Sequence, residues 1–247
     1  MNNFAVVIPA YNETLTITQV VNEALKLTPL VIVVNDASQD DTAALVQQTA
    51  AILVDLPVNG GKAKALQAGF EKALSLGIEA IVTLDGDAQH NPFDIPKLLA
   101  HFAQNPMDLC IASRLKDRQN APRSRRIANS IADFWVGWAA GRPIADSQSG
   151  FRLYPASLLS KLNFPYENKS GFVFESEVLV DAAHLNYGFA FIPIDTVYAE
   201  NRRASHFRAG FDITQITFMV AKKLLKKGMN LPGLFRSLTK NPKIIQD

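Results

Sequence analysis

Unbroken apolar runs and amphipathic stretches alternate along the first 113 residues. Phe4–Pro9, Leu30–Val34, Ile52–Leu56, Ala80–Leu84 and Asp108–Ser113 are short, largely apolar runs that predict five strands. Between the first two, Leu15–Leu27 places Ile17, Val20, Val21, Ala24 and Leu25 at helical spacing. Asp40-Asp41-Thr42 opens a second helix with acids at the positive end of the dipole, and Asn59-Gly60-Gly61-Lys62 opens a third that runs to about Leu76. Pro92–Phe102 predicts a fourth. Strands alternating with helices imply βαβ units and an α/β fold with a mostly parallel sheet flanked by helices. Continuous rather than alternating apolar strands imply burial on both faces.

Beyond Arg114 the rhythm changes. A basic, proline-containing stretch, Arg118 to Arg126, precedes a predicted helix over Ile127–Ala140. A polar turn from Asp146 leads into a strand near Tyr154, followed by predicted helices over Pro155–Leu162 and Glu175–Leu185 and a strand over Phe189–Val197. A long helix is expected over Asp212–Lys227, with a frayed tail after Pro232. Neither a repeat nor a linker divides the chain; residues 1–210 read as one domain and 211–247 as a basic amphipathic extension.

Composition changes this picture in three places. Cys110 is the only cysteine, which excludes an internal disulfide, and its apolar surroundings make it a core residue. No stretch approaches the roughly 18–20 apolar residues of a membrane span, and the chain opens directly into a strand with no basic leader. A cytoplasmic protein, peripheral on the inner membrane face, is expected. The net charge of +2 conceals a gradient: from Glu200 onward ten Lys/Arg face three acids, net +7, leaving −5 for the first 199 residues. Such an end suits an anionic partner, although a solvated helix face would look the same. No nucleic-acid recognition fold accompanies it.

Ligands of parallel sheets bind beyond the carboxyl ends of the strands. Four polar turns follow strands on that edge: Tyr11-Asn12-Glu13, Asn35-Asp36, Asn59 to Lys62, and Asp85 to Gln89. In Asp85-Gly86-Asp87 two carboxylates one residue apart can share a hard cation, and Gly86 permits close backbone approach. Mg²⁺ or Mn²⁺ takes oxygen ligands and retains phosphates in its shell, which suits the departure of a nucleotide diphosphate.

Linked motifs carry a resemblance. Val7-Ile-Pro-Ala-Tyr-Asn-Glu13, Val33-Val-Asn-Asp-Ala-Ser38, Asn59 to Lys62 and Leu84-Asp-Gly-Asp-Ala-Gln-His90 resemble the family 2 glycosyltransferases of the GT-A fold. The Asp-Gly-Asp-Ala-Gln-His-x-Pro form is similar to the dolichol- and polyprenyl-phosphate sugar transferases. Ala112-Ser-Arg114, Asp146 to Arg152, Phe174 to Glu177 and Ser205 to Arg208 extend the match to about residue 212.

The resemblance implies a nucleotide-sugar donor, with Pro9, Tyr11, Glu13, Asp36 and Lys62 around the nucleoside and phosphates. Asp85 would contact ribose or metal, with Gly86 in the same turn, and Asp87 and Gln89 would ligate the ion. Arg114 and Arg152 would grip an acceptor or leaving phosphate, and Ser205, His206 and Arg208 would close over the diphosphate. Glu175 and Glu177 fall where family members acting on hydroxyls carry an acidic pair, and Asp146 is a third candidate base. Bland readings accompany each of these: a helix-start charge for Glu13, Glu175 and Glu177, turn formation for Asp36 and Gln89, surface ion pairs for the arginines, and a structural role for His90. Asn35 departs from the family, where a second acid is common.

The resulting expectation is an inverting, metal-dependent transfer from a UDP- or GDP-sugar to a polyprenyl phosphate or another lipid-linked acceptor. A hydroxyl-directed transferase of surface glycans and a non-catalytic nucleotide-sugar binder stay open, as does a homo-oligomer. A nucleotidyltransferase is disfavoured because no Gly-rich basic loop follows the first strand.

Overall fold

The structure, a computed structural model, describes residues 3–114, 123–163, 171–195 and 209–245. Among these residues seven strands form one sheet in the order β3-β2-β1-β4-β6-β5-β7. They are β1 (Phe4–Ala10), β2 (Val31–Asn35), β3 (Ile52–Asp55), β4 (Ala80–Thr83), β5 (Asp108–Ser113), β6 (Arg152–Pro155) and β7 (Gly188–Pro193). All run parallel except β6, which pairs antiparallel with both β4 and β5. That single reversal matters for the site: an antiparallel strand begins where its neighbours end, so the turn before Arg152 lies at the carboxyl edge beside Thr83.

Both faces of the sheet are covered, as the continuous apolar strands require. On β1, Phe4, Val6 and Ile8 pack into one core with Ile17, Val20 and Val21 of α1 (Ile17–Leu25) and Leu98 of α4 (Ile95–Gln104). Ala5 and Val7 pack into the other with Leu66 and Phe70 of α3 (Lys62–Ser75). That second core also takes side chains from α5 (Arg123–Ala140), α7 (Gly171–His184) and α8 (Ala209–Lys226). Each buried Val, Ile or Phe contributes about 1.5–3 kcal/mol by leaving water. Two short helices, α2 (Thr42–Gln47) and α6 (Ala156–Leu159), complete the layers.

The second half departs from expectation in detail. The helix expected over Pro155–Leu162 contracts to the four residues of α6, and α7 begins at Gly171, a full turn before Glu175. The tail expected to fray after Pro232 forms α9 (Leu231–Thr239). Proline is tolerated in a first helical turn, where its missing N–H costs nothing, and the Asn230 side chain caps the helix by accepting from the Gly233 amide at 3.2 Å. Asn230 also donates to the Trp138 carbonyl at 3.0 Å, while the Trp138 indole donates to the Met229 carbonyl at 3.0 Å, locking the start of α9 to α5.

Candidate active site

The four polar turns do converge on the carboxyl edge. Asn12, Ala37 and Ala88, each just beyond a strand, and Asp146 in the turn before β6, have positive φ, a conformation costly for residues other than glycine. Asn186, Met229 and Asn230 share this conformation elsewhere, so four of the seven such residues among those described lie at this rim.

Lys62 lies at the centre. Its ammonium sits 2.6 Å from Asp85 and 2.8 Å from Glu175, bridging the turn after β4 to α7. Burial alone would lower the lysine's pKa, but the two carboxylates override it and push the pKa up, so the ammonium stays charged. Burial would likewise raise Asp85, yet the neighbouring Lys62 charge holds it down at about 2. Two glycines leave room for this bridge: a Cβ on Gly150 would stand 2.7 Å from the Lys62 ammonium and 2.8 Å from Asp85, and one on Gly171 would meet the lysine stem at 2.7 Å.

Asp36 orders the loop that presents Lys62. Its two carboxylate oxygens accept the Gly60 and Gly61 amides at 2.7 and 2.8 Å, and Gly61 holds φ +80° at the start of α3. The expected contact with base or ribose thus competes with a scaffolding role that occupies both oxygens. Asn35 also finds its reason: its amide donates to Asp55 at 2.7 Å, a bond that a second acid there could not make while ionised. On the near side, Glu13 and Pro9 flank Gly86, where a Cβ would lie 3.3 Å from the Glu13 side chain and 3.5 Å from the Pro9 carbonyl. Thr16 fixes Gly86 by donating to its carbonyl at 2.6 Å. Tyr11 is half-buried on the turn after β1.

Asp87 is pushed up from the ordinary carboxylate range by burial and then by the Asp85 charge. Crowded like charges with oxygen-only chemistry fit a hard divalent cation. Among the described residues no group of three or more His, Cys, Asp or Glu is assembled for a metal, so two carboxylates would need water and phosphate oxygens to complete a shell. Mg²⁺ and Mn²⁺ commonly bind in that way. Gln89, expected as a third ligand, turns its amide nitrogen onto Asp87 at 2.7 Å and so serves the carboxylate in this arrangement. His90 is buried against Phe151, and burial drives its pKa down to about 4, leaving the imidazole neutral.

Arg114 emerges from β5 onto the same edge. Its backbone N–H donates to Asp146 at 2.9 Å, and its guanidinium reaches that carboxylate at 3.5 Å while staying partly exposed. Arg152 behaves differently. It is fully buried, and its guanidinium nitrogens donate to the carbonyls of Ser147, Ser149 and Glu175 at 2.7–2.8 Å. A side chain so enclosed braces the turn before β6 against α7, and the expected grip on a phosphate is corrected to a scaffolding role. The pairing of Glu175 with Glu177 is corrected as well. Two residues apart on a helix they point to different sides: Glu175 meets Lys62, whereas Glu177 lies 3.2 Å from Lys223 of α8. Ser205, His206 and Arg208 lie outside the described residues.

Sequence reasoning missed Asp133, whose buried carboxylate accepts the amides of Asp146 and Ser147 at 3.2 and 2.8 Å. The signal was available, since Asp133 is the one acid in α5. Gly150 and Gly171 were also missed, because nothing local marks a glycine whose purpose is to let a distant lysine pass.

The sequence matches the family model for glycosyl transferase family 2 across residues 5–162. The chain belongs to that family. This family 2 glycosyltransferase is 29% identical over 230 residues to the UDP-N-acetylglucosamine–dolichyl-phosphate N-acetylglucosaminyltransferase of Methanococcus voltae, covering 84% of this chain and 91% of that protein. It is 27% identical over 228 residues to the polyprenol monophosphomannose synthase of Mycolicibacterium smegmatis, covering 88% and 85%. In fold it is similar to glucosyl-3-phosphoglycerate synthase from Mycobacterium tuberculosis, crystallised with UDP, at a TM-score of 0.70 and 21% identity over 90% of this chain and 80% of that one. Another crystal of that synthase holds Mn²⁺ as well. The fold of this family 2 glycosyltransferase is thus GT-A, and the expected sheet architecture stands.

Proposed function

We propose that this glycosyltransferase moves a sugar from a UDP- or GDP-sugar to the phosphate of a polyprenyl phosphate, with inversion, at the cytoplasmic face of a membrane. The observation that carries the acceptor is the state of the three candidate bases. Asp146 is bound to Arg114, Glu175 to Lys62 and Glu177 to Lys223. A hydroxyl acceptor needs a carboxylate to take its proton. A phosphate monoester, with a second pKa near 6, arrives largely ionised and needs none. The names of the relatives support the same acceptor, with dolichyl phosphate in one and a polyprenol monophosphomannose product in the other.

In this reading a phosphate oxygen of the acceptor attacks the anomeric carbon as the bond to the nucleotide diphosphate breaks, and the configuration inverts. Asp85 and Asp87 would hold Mg²⁺ or Mn²⁺, whose charge offsets that developing on the diphosphate. Lys62 adds a fixed cation at the same turn, and Arg114, partly exposed at the edge, orients the acceptor phosphate. Pro9, Tyr11 and Glu13 line the nucleoside side, and Ser205, His206 and Arg208 belong to the chain segment proposed to cover the diphosphate.

The test is incubation of purified protein with labelled UDP- and GDP-sugars, Mn²⁺, and either polyprenyl phosphate or the matching polyprenol. Label entering lipid only with the phosphate, in a product cleaved by mild acid, supports the reading. Equal transfer to the free polyprenol would overturn it.

A further inference from the structure

Two exposed apolar surfaces at the end of the chain take no part in the site just described. On α9, Leu231, Phe235 and Leu238 recur at i, i+4 and i+7, forming a stripe opposite the face that carries buried Gly233 and the Arg236 contact to the Gly141 carbonyl. On α8, Phe218 and Leu225 recur at i and i+7 on the side away from buried Ile216, Val220 and Leu224. These five side chains are 66–72% exposed. Scattered surface leucines need no explanation, but five large apolar groups in two ordered stripes do.

Charge decides what covers them. Residues 209–245 carry seven Lys/Arg (Lys222, Lys223, Lys226, Lys227, Arg236, Lys240, Lys243) against one acid, Asp212. Of these, Lys223 is committed to Glu177 and Asp181, and Lys243 lies 3.4 Å from Asp108. An isologous pairing of two such surfaces would set like charges against each other. An anionic bilayer complements the cations and the apolar stripes together. No helix among the described residues is long and apolar enough to cross a membrane, so the contact lies in its plane. The α5 side chains Ile127, Ile131, Phe134 and Trp138 follow one helical face, and this face ends at Met229 in the turn joining α8 to α9. Along it runs an open groove of about 540 Å³ with Arg123 and Arg126 at its head.

We propose that α8 and α9 form a membrane-docking face, with the Leu231, Phe235 and Leu238 stripe and Phe218 and Leu225 entering the headgroup boundary of an anionic bilayer while Lys222 and Lys226 meet lipid phosphates. The proposal rests on the lipid-acceptor reading only for its purpose, since docking requires neither donor nor turnover.

Flotation of the full chain with vesicles, without nucleotide sugar, tests it. Wild type co-floats with phosphatidylcholine vesicles containing a quarter phosphatidylglycerol, and far less with phosphatidylcholine alone. Leu231→Ser/Phe235→Ser/Leu238→Ser loses at least tenfold in partition at an unchanged melting temperature. Lys222→Gln/Lys226→Gln loses about fivefold per lysine at low salt, a difference that shrinks in high salt. Should the serine variant fold poorly, Phe218→Ser/Leu225→Ser on the other helix gives the same reading. The proposal is overturned if wild type ignores anionic vesicles, if both serine variants float like wild type, or if light scattering shows a dimer that these serines dissociate. Vesicle binding intact alongside absent sugar transfer would sink the acceptor reading and leave docking standing.

Discussion

Asp87 carries a carboxylate that burial and the neighbouring Asp85 charge make costly to keep ionised, which is the setting in which a bound cation is proposed to use it. Asp87→Asn retains shape and can still accept from the Gln89 backbone N–H, but it removes the charge; transfer is expected to fall by roughly 100-fold or more with the melting temperature little changed. A nucleotide-sugar sensor would instead lose only affinity in the same variant. Gly150 gives a sharper test of the lysine bridge. Its φ lies outside the glycine-favoured region, so Gly150→Ala adds no backbone strain, only a methyl against the Lys62 ammonium and Asp85. A loss of at least tenfold in kcat/KM with an intact fold is the expected outcome; full activity would show that the bridge is dispensable. His90 predicts a pH dependence. Its folded pKa, about 4, lies below the ordinary 6.5, so the unfolded chain takes the proton first as pH falls. The stability contributed is complete above about pH 6.5 and is lost toward pH 4. From pH 7 to pH 5 wild type should lose about 2 kcal/mol more than His90→Gln in urea unfolding.

Among the elements, the parallel half was legible because every signal agreed. Val31–Asn35 is buried throughout, flanked by turn residues, and its apolar run could be nothing but an interior strand of a two-sided sheet. Glu175 and Glu177 were legible as chemistry but not as geometry, since residues two apart on a helix face different sides and here meet different partners, Lys62 and Lys223. Pro232 was misread for a local reason. Proline ends helices in the interior and begins them at the first turn, and only the Asn230 cap, which needs φ +41° and a partner on α5, distinguishes the cases. Asn230→Ala removes both the cap and the bond to Trp138. It should cost about 1–2 kcal/mol, which for a chain of this size lowers the melting temperature by several degrees and can be followed by calorimetry.

Across the whole molecule, the site is assembled from segments far apart in sequence, and this explains what local patterns could and could not show. Four turns after parallel strands share one edge by topology alone, so Asp36, Lys62 and Asp85 could be placed together from their motifs. Asp133, Gly150 and Gly171 enter only through the reversal of β6 and the packing of α5 and α7 around it, and the same packing turns Arg152 from a phosphate grip into a brace, none of which periodicity encodes. The same assembly makes a prediction for stability. If Asp85 and Asp87 complete a metal shell only with diphosphate oxygens, neither Mn²⁺ alone nor UDP or GDP alone should stabilise the fold as much as the two together. Linkage gives about 2.7 kcal/mol at a hundred times the dissociation constant, a readily measured rise in melting temperature. Asp87→Asn should abolish the synergy while leaving the weaker effect of nucleotide alone. A synergy that survives this substitution would place the ion elsewhere and separate the Asp85-Gly86-Asp87 turn from the diphosphate it is proposed to hold.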